Sequence, residues 1–166
     1  MRNPQLESYF PKLSSGGYSV QSPEDGKYNC IAFAVGNPTR NWQWMPRPTG
    51  GYYWPPDIKG DETIEAWTRV FRLHGYRQCD NGEFEVGVEK VALYTDPDGM
   101  PTHVAKQDIV KRKWISKLGK GHDIHHDSYR DLEGFDGHEY GTAVRFMSRP
   151  RTVEELLNLT RDTEDP

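Results

Sequence analysis

Apolar residues along the 166-residue chain change their spacing twice, and each change marks a stretch of different predicted structure. Residues 1–29 are rich in Ser, Gly and Pro, with Leu6, Phe10, Leu13 and Tyr18 as scattered apolar positions. Residues 1–17 are expected to form an irregular N-terminal arm whose apolar side chains lie over a core. A compact apolar run, CIAFAVG, follows from Cys30 to Gly36. Its alanines and closing glycine suggest a buried helix, although a run of this length also fits a strand. Residues 37–60 read as a Pro/Gly loop carrying Trp42, Trp44, Tyr52, Tyr53 and Trp54. Loops this long inside a domain are usually functional or disordered, and five aromatics weigh against disorder.

The stretch DETIEAWTRVFRLHG has the spacing of an amphipathic helix, with Ile64, Trp67, Val70 and Phe71 on one face. Asp61 is the expected N-cap and Gly75 the residue just past the end. Acids in the first turns (Glu62, Glu65) and bases in the last (Arg72, His74) suit the helix dipole. Beyond it the period falls to two. VEKVALYT reads as a strand, DPDG as its turn, THVAKQ as the antiparallel return, and KWISKLG as a third strand after the connection DIVK. TAVRFM at 142–147 adds another strand. TVEELLNLTR reads as a short helix with Thr152 and Glu155 in capping-box positions, and residues 160–166 as a flexible tail. A helix followed by a consecutive antiparallel meander predicts an α+β fold, in one domain spanning 1–166.

Composition narrows the function classes. Hydrophobic residues make up 34% and the mean hydropathy is −0.88, so the core is lean and leans on 5 Trp, 9 Tyr and 6 Phe. A net charge of −4 leaves no electrostatic footprint for nucleic acid. No apolar run reaches the length of a membrane span, and MRNPQLESYF has no signal-peptide core. The expected compartment is therefore the cytoplasm, with signal-independent export as a toxin the other route. Two cysteines cannot staple a scaffold, and no cofactor motif is present.

Cys30 stands where an irregular segment meets the apolar run. A thiol at a helix start faces unpaired N–H groups and the positive dipole end, which raise its thiolate fraction. A buried small hydrophobe is the plainer reading. His103 opens the THVAKQ strand, and a symmetric closure of the hairpin at DIVK would set it opposite Ser116. Ala105, Trp114 and Leu118 then share its face, apolar and suited to a helix whose thiol the imidazole deprotonates. A structural histidine is the alternative. Cys79 lies in a stretch without a helix start and reads as an unremarkable loop or strand-edge cysteine. His122, His125, His126, His138, Asp123 and Asp127 offer imidazole and carboxylate, but their spacing fits no zinc pattern. That stretch is expected to be an exposed polar loop without metal. The aromatic loop serves either as the wall of a substrate cleft or as area buried without regular structure.

A Cys opening a helix in YNCIAFA, followed by a meander whose second strand begins with His in THVAKQ, resembles the papain-like cysteine hydrolases, closest to the NlpC/P60 branch. With GYYWP, KVALYTDPDG, WISKLG and a later YG, the likeness extends over about residues 18–147 to a group of small bacterial proteins. The resemblance implies a papain-like fold, an N-terminal helix carrying Cys packed on an antiparallel meander. It also implies a peptidase or amidase acting on a peptide or other amide, with Cys30 as nucleophile and His103 as base. The third residue, which orients the imidazole, should come from the KWISKLG strand. Ser116 stands there, where relatives usually carry His, Asn, Gln or Asp, so either Gln107, Asp123 or His126 takes the role, or the dyad works without a third residue, or activity is lost. Asn29 and Tyr18 are the candidates for completing an oxyanion hole, and Trp42, Trp44 and Trp54 for substrate contacts. The alternative is a non-catalytic binding domain on the same fold that uses the Trp/Tyr-rich loop as its contact surface.

Overall fold

The alternating run VEKVALYT forms a strand over its whole predicted length, in a computed structural model that describes residues 2–21, 30, 34, 63–118, 121–135, 138–151, 154, 155 and 157. The strands are β1 (Tyr18–Val20), β2 (Arg77–Cys79), β3 (Val88–Thr95), β4 (Pro101–Asp108), β5 (Lys113–Lys117), β6 (Asp123–His126) and β7 (Thr142–Pro150). They build one sheet in the order β1-β6-β5-β4-β3-β7-β2, and every neighbouring pair is antiparallel. The fold is α+β. The predicted meander is its centre, extended by the unforeseen β6 and flanked by β7, while the short β1 and β2 form the edges.

Local chemistry explains the element ends. The DPDG turn closes with Asp96 N–H donating to Met100 C=O at 2.9 Å and with Gly99 at φ +84°. Helix α1 (Pro4–Tyr9) occupies part of the arm expected to be irregular. Asn3 caps it by accepting from Gln5 and Leu6 N–H, and Pro4 sits at the first position, where a missing N–H costs nothing. Helix α2 (Ile64–Leu73) is capped by the Thr63 side chain, which accepts from Ala66 N–H at 3.2 Å. The expected cap Asp61 lies outside the described residues. Gly75, at φ +91°, follows the C-cap His74 as predicted. Val70 and Phe71 are fully buried, with Ile64 and Trp67 packed beside them. The capping-box position Thr152 is outside the described residues, and Glu154, Glu155 and Leu157 are helical.

The β4–β5 turn departs from expectation and shifts the register. Asp108 is the last strand residue, paired with Lys113, and its carboxylate accepts from Val110 and Lys111 N–H at 3.0 Å each. The turn is therefore 109–112, completed by Arg112 at φ +56°. An aspartate folding the chain over its own side chain moved the turn by one residue. With Lys106 opposite Ile115, the next step sets Ser116 level with Ala105, not with His103.

Both faces of the sheet are covered, which is why seven of the eight β3 residues are buried. On one face Val91, Leu93, Val104 and Met147 meet Ala66, Val70 and Phe71 of α2, together with Cys30 and Ala34. On the other, Ala92, Tyr94, Ala105, Trp114 and Ile124 meet Leu6, Phe10 and Leu13 of the N-terminal segment and Leu132. The scattered apolar residues of the arm thus do lie over a core. Among the described residues no helix is long and apolar enough to cross a membrane.

Candidate functional site

His103 sits near the start of β4, paired with Tyr94 of β3. Its ring lies 5.3 Å from Tyr94 and stacks on Tyr140 at 4.1 Å with the planes 6° apart. The residue is fully buried, and among the described residues neither ring nitrogen has a hydrogen-bond partner. Burial, and then the charge His126 would carry, hold its pKa well below the ordinary histidine range, so the ring is neutral at pH 7.

Tyr140 is held from two directions. Its N–H donates to Leu132 C=O at 3.0 Å, and its own C=O accepts from the Thr102 hydroxyl. The next residue, Gly141, has φ +83° and lies so close to Thr95 C=O that a Cβ would collide with it. The YG pair therefore fixes where the ring can stand. Tyr140 also lines a cavity of about 280 Å³ whose other walls include Tyr9, Phe10, Leu118, His122 and His138.

Cys30 and Ala34, one helical turn apart, have helical backbone, in line with the helical reading of CIAFAVG. Cys30 is 9% exposed and belongs to the cluster on the α2 side of the sheet. His103 and Cys30 go with different clusters. Strand alternation sends the His103 ring to the face of Tyr94 and Ala105, which the N-terminal segment covers, whereas Cys30 clusters with Val104 and Leu93. No thiol–imidazole hydrogen bond is made, since both His103 nitrogens lack a partner. Tyr140 is the residue both approach. Burial first, and then the charge of a Cys30 thiolate, push its phenol above the ordinary tyrosine range, while its ring covers His103.

Ser116 does not orient His103. Its hydroxyl is 2.8 Å from Nε2 of His126, and Nδ1 of His126 is 2.8 Å from Ser128 C=O. A carbonyl only accepts, so Nδ1 carries the proton and Nε2 accepts from Ser116. Both residues are fully buried. Burial lowers the His126 pKa to about 4. Of the substitutes, His126 has both nitrogens committed, and the Gln107 amide donates to Gly82 C=O at 2.9 Å.

The remaining expectations divide. The Tyr18 phenol accepts from Asn3 N–H at 2.6 Å and lies 3.1 Å from Glu7, so it anchors α1 instead of completing an oxyanion hole. Asn29, Trp42, Trp44 and Trp54 lie outside the described residues. Cys79 ends the edge strand β2, and its thiol donates to Asn81 C=O at 3.5 Å. The HDIHHD stretch is strand β6 with Asp123, Ile124 and His126 buried, not an exposed loop. There His125 pairs with Asp108 at 3.2 Å and Asp127 with Lys113. Among the described residues no cluster of His, Cys, Asp or Glu is placed to hold a metal. Sequence reasoning did not assign a role to Tyr140, whose signal was the YG pair, and named His126 only as a substitute.

A family model described as a domain of unknown function, DUF7689, matches residues 19–148. It spans Cys30, His103, Ser116, His126 and Tyr140, and the chain belongs to that family. No curated protein and no solved structure matches.

Proposed function

Taking this family membership as the premise, we propose that the chain is a thiol hydrolase of papain-like type acting on an amide, with Cys30 as nucleophile and His103 as base. The observation that carries the reading is the state of His103. A fully buried neutral imidazole with neither nitrogen bonded forgoes about 1–3 kcal/mol per unsatisfied polar group, and such orphaned groups are often retained for chemistry. The unprotonated nitrogen of the neutral ring has no hydrogen bond to break, and a thiolate brought to it would offset the burial that now opposes its protonation.

In the proposed reaction His103 takes the Cys30 proton. The thiolate attacks the amide carbonyl carbon and forms the C–S bond. The C–N bond then breaks, and the amine leaves with the proton held by His103. Water, deprotonated by His103, attacks the thioester, and the thiol regains its proton as the acid departs. Tyr140, whose ring covers His103 and also lines the neighbouring cavity, is the wall proposed for the substrate.

The pH dependence of iodoacetamide labelling at Cys30 and Cys79, read by mass spectrometry, tests this. Cys30 should react well below pH ~8.5, the value for an unperturbed thiol, and His103→Ala should abolish that shift. If Cys30 instead titrates like Cys79, or His103→Ala changes nothing, the hydrolase reading fails. The second reading, a non-catalytic binding domain, then takes its place. It is favoured by His103 and the Cys30 cluster lying on different faces of the sheet.

A further inference from the structure

We infer that the far end of the sheet, beside the C-terminal end of α2, is a binding site for a multivalent oxyanion, the phosphate or carboxylate groups of a small molecule. The site is built around Glu89 of β3, which is only 2% exposed. Arg151 clasps one carboxylate oxygen with Nε at 2.9 Å and with Nη2. The other oxygen accepts from the Tyr76 hydroxyl and lies 3.5 Å from Arg149 and 3.7 Å from Lys106. Three cations thus surround one carboxylate. Among the described residues the further acid in reach is Glu155, 3.7 Å from Arg151 at the surface. Positive charge remains in surplus in a partly buried place, where unpaired charge is costly.

Two further observations give that surplus a direction. Nε of Arg149 is buried with no hydrogen-bond partner among the described residues, although Nη1 donates to His74 C=O at 3.0 Å and the guanidinium lies 4.8 Å over the Tyr76 ring. Tyr76, whose ring lies under the Arg149 guanidinium and whose hydroxyl meets Glu89, is also a wall of a neighbouring cavity of about 490 Å³, lined besides by Arg72, Gly75, Arg77 and Gln78 and by no acidic side chain. Gly75 brings it to Arg149, because a Cβ there would stand 3.3 Å from the Arg149 Cδ. Arg72 lies in the last turn of α2 and Arg77 opens the exposed edge strand. The planar, forked guanidinium groups match the geometry of phosphate and carboxylate oxygens.

Isothermal titration of the full chain with pyrophosphate and with citrate, each against sodium chloride at equal ionic strength, tests the site. Saturable one-to-one binding of either anion is expected. A response to pyrophosphate alone marks a phosphorylated ligand, and a response to citrate alone a carboxylate one. Arg77→Gln and Arg149→Gln should each weaken binding at least about tenfold. Arg145→Gln, which removes a pairing with Glu65 and Thr68 outside the cavity, should leave it unchanged. Because Arg149 also holds the end of α2, the exposed Arg77 variant keeps the test decisive if Arg149→Gln unfolds. No response beyond that of chloride, or binding untouched in folded Arg77→Gln, overturns the inference.

Discussion

Acidification should cost this chain stability through His126, and the size of that contribution follows from its surroundings. The ring is fully buried, donating to Ser128 C=O and accepting from the Ser116 hydroxyl. A second proton on Nε2 would face a hydroxyl already turned to donate, in a place where burial opposes charge. Its folded pKa is accordingly lowered from 6.5 to about 4. The unfolded chain binds a proton in that window which the folded chain refuses. Stability is therefore complete above about pH 6.5 and is lost as the pH falls through the window to 4. At about 1.4 kcal/mol per pH unit, the loss is about 3 kcal/mol, a large share of the 5–15 kcal/mol typical of a domain. His103, also held well below the usual range by burial, adds in the same direction. Urea unfolding of the wild type and His126→Asn at intervals from pH 7.5 to 4 measures the effect. Asparagine offers an N–H near the place of Nδ1 but does not titrate, and contributions from groups that do not face His126 cancel in the difference. The variant's profile should be flatter by about 3 kcal/mol. Parallel profiles would refute the reasoning.

Two further outcomes are expected. Ser116→Ala leaves Nε2 of the buried His126 without its donor, so stability should fall by about 1–3 kcal/mol in chemical denaturation. The same variant should leave the pH dependence of Cys30 labelling unchanged, because Ser116 does not touch His103; a loss of Cys30 reactivity in folded protein would contradict this. Gly141→Ala places a Cβ against Thr95 C=O at φ +83°, and both carbonyl and loop backbone would have to move. A loss of more than about 3 kcal/mol, or no folded protein, is expected, and near-wild-type thermal unfolding would show that the loop carrying Tyr140 is not pinned there.

Much of the fold was legible wherever the reasons are local. The period-two run from Val88 to Thr95, the DPDG turn, the amphipathic face of α2 and the role of Gly75 each depend on neighbours a few residues away, and each stands as expected. Legibility failed where a polar residue took on a role its type does not announce. Asp108 folded the turn over its own side chain and moved Ser116 away from His103. β6, with two histidines and an aspartate in four residues, has no apolar alternation, because His126 fills a core position through bonds to Ser116 and Ser128. The N-terminal segment gave little helical signal, since α1 rests on one cap, Asn3, and on three apolar anchors, Leu6, Phe10 and Leu13.

The candidate site divides in the same way. Cys30 and His103 stood out in the sequence because reactive residue types at an apolar run and at a strand start are visible without coordinates. Which face each one joins was settled by tertiary packing. The pleat of β4 alternates His103 with Val104, and the N-terminal segment, sixty or more residues from the meander in sequence, covers one face while α2 covers the other. Tyr140 reaches His103 only because its loop is tied to Thr102 and Leu132. Periodicity and capping act over a few residues and are written in the chain. The register between strands, the choice of covering segment and the partner of each buried polar group depend on residues distant in sequence, and only the folded structure brings those together.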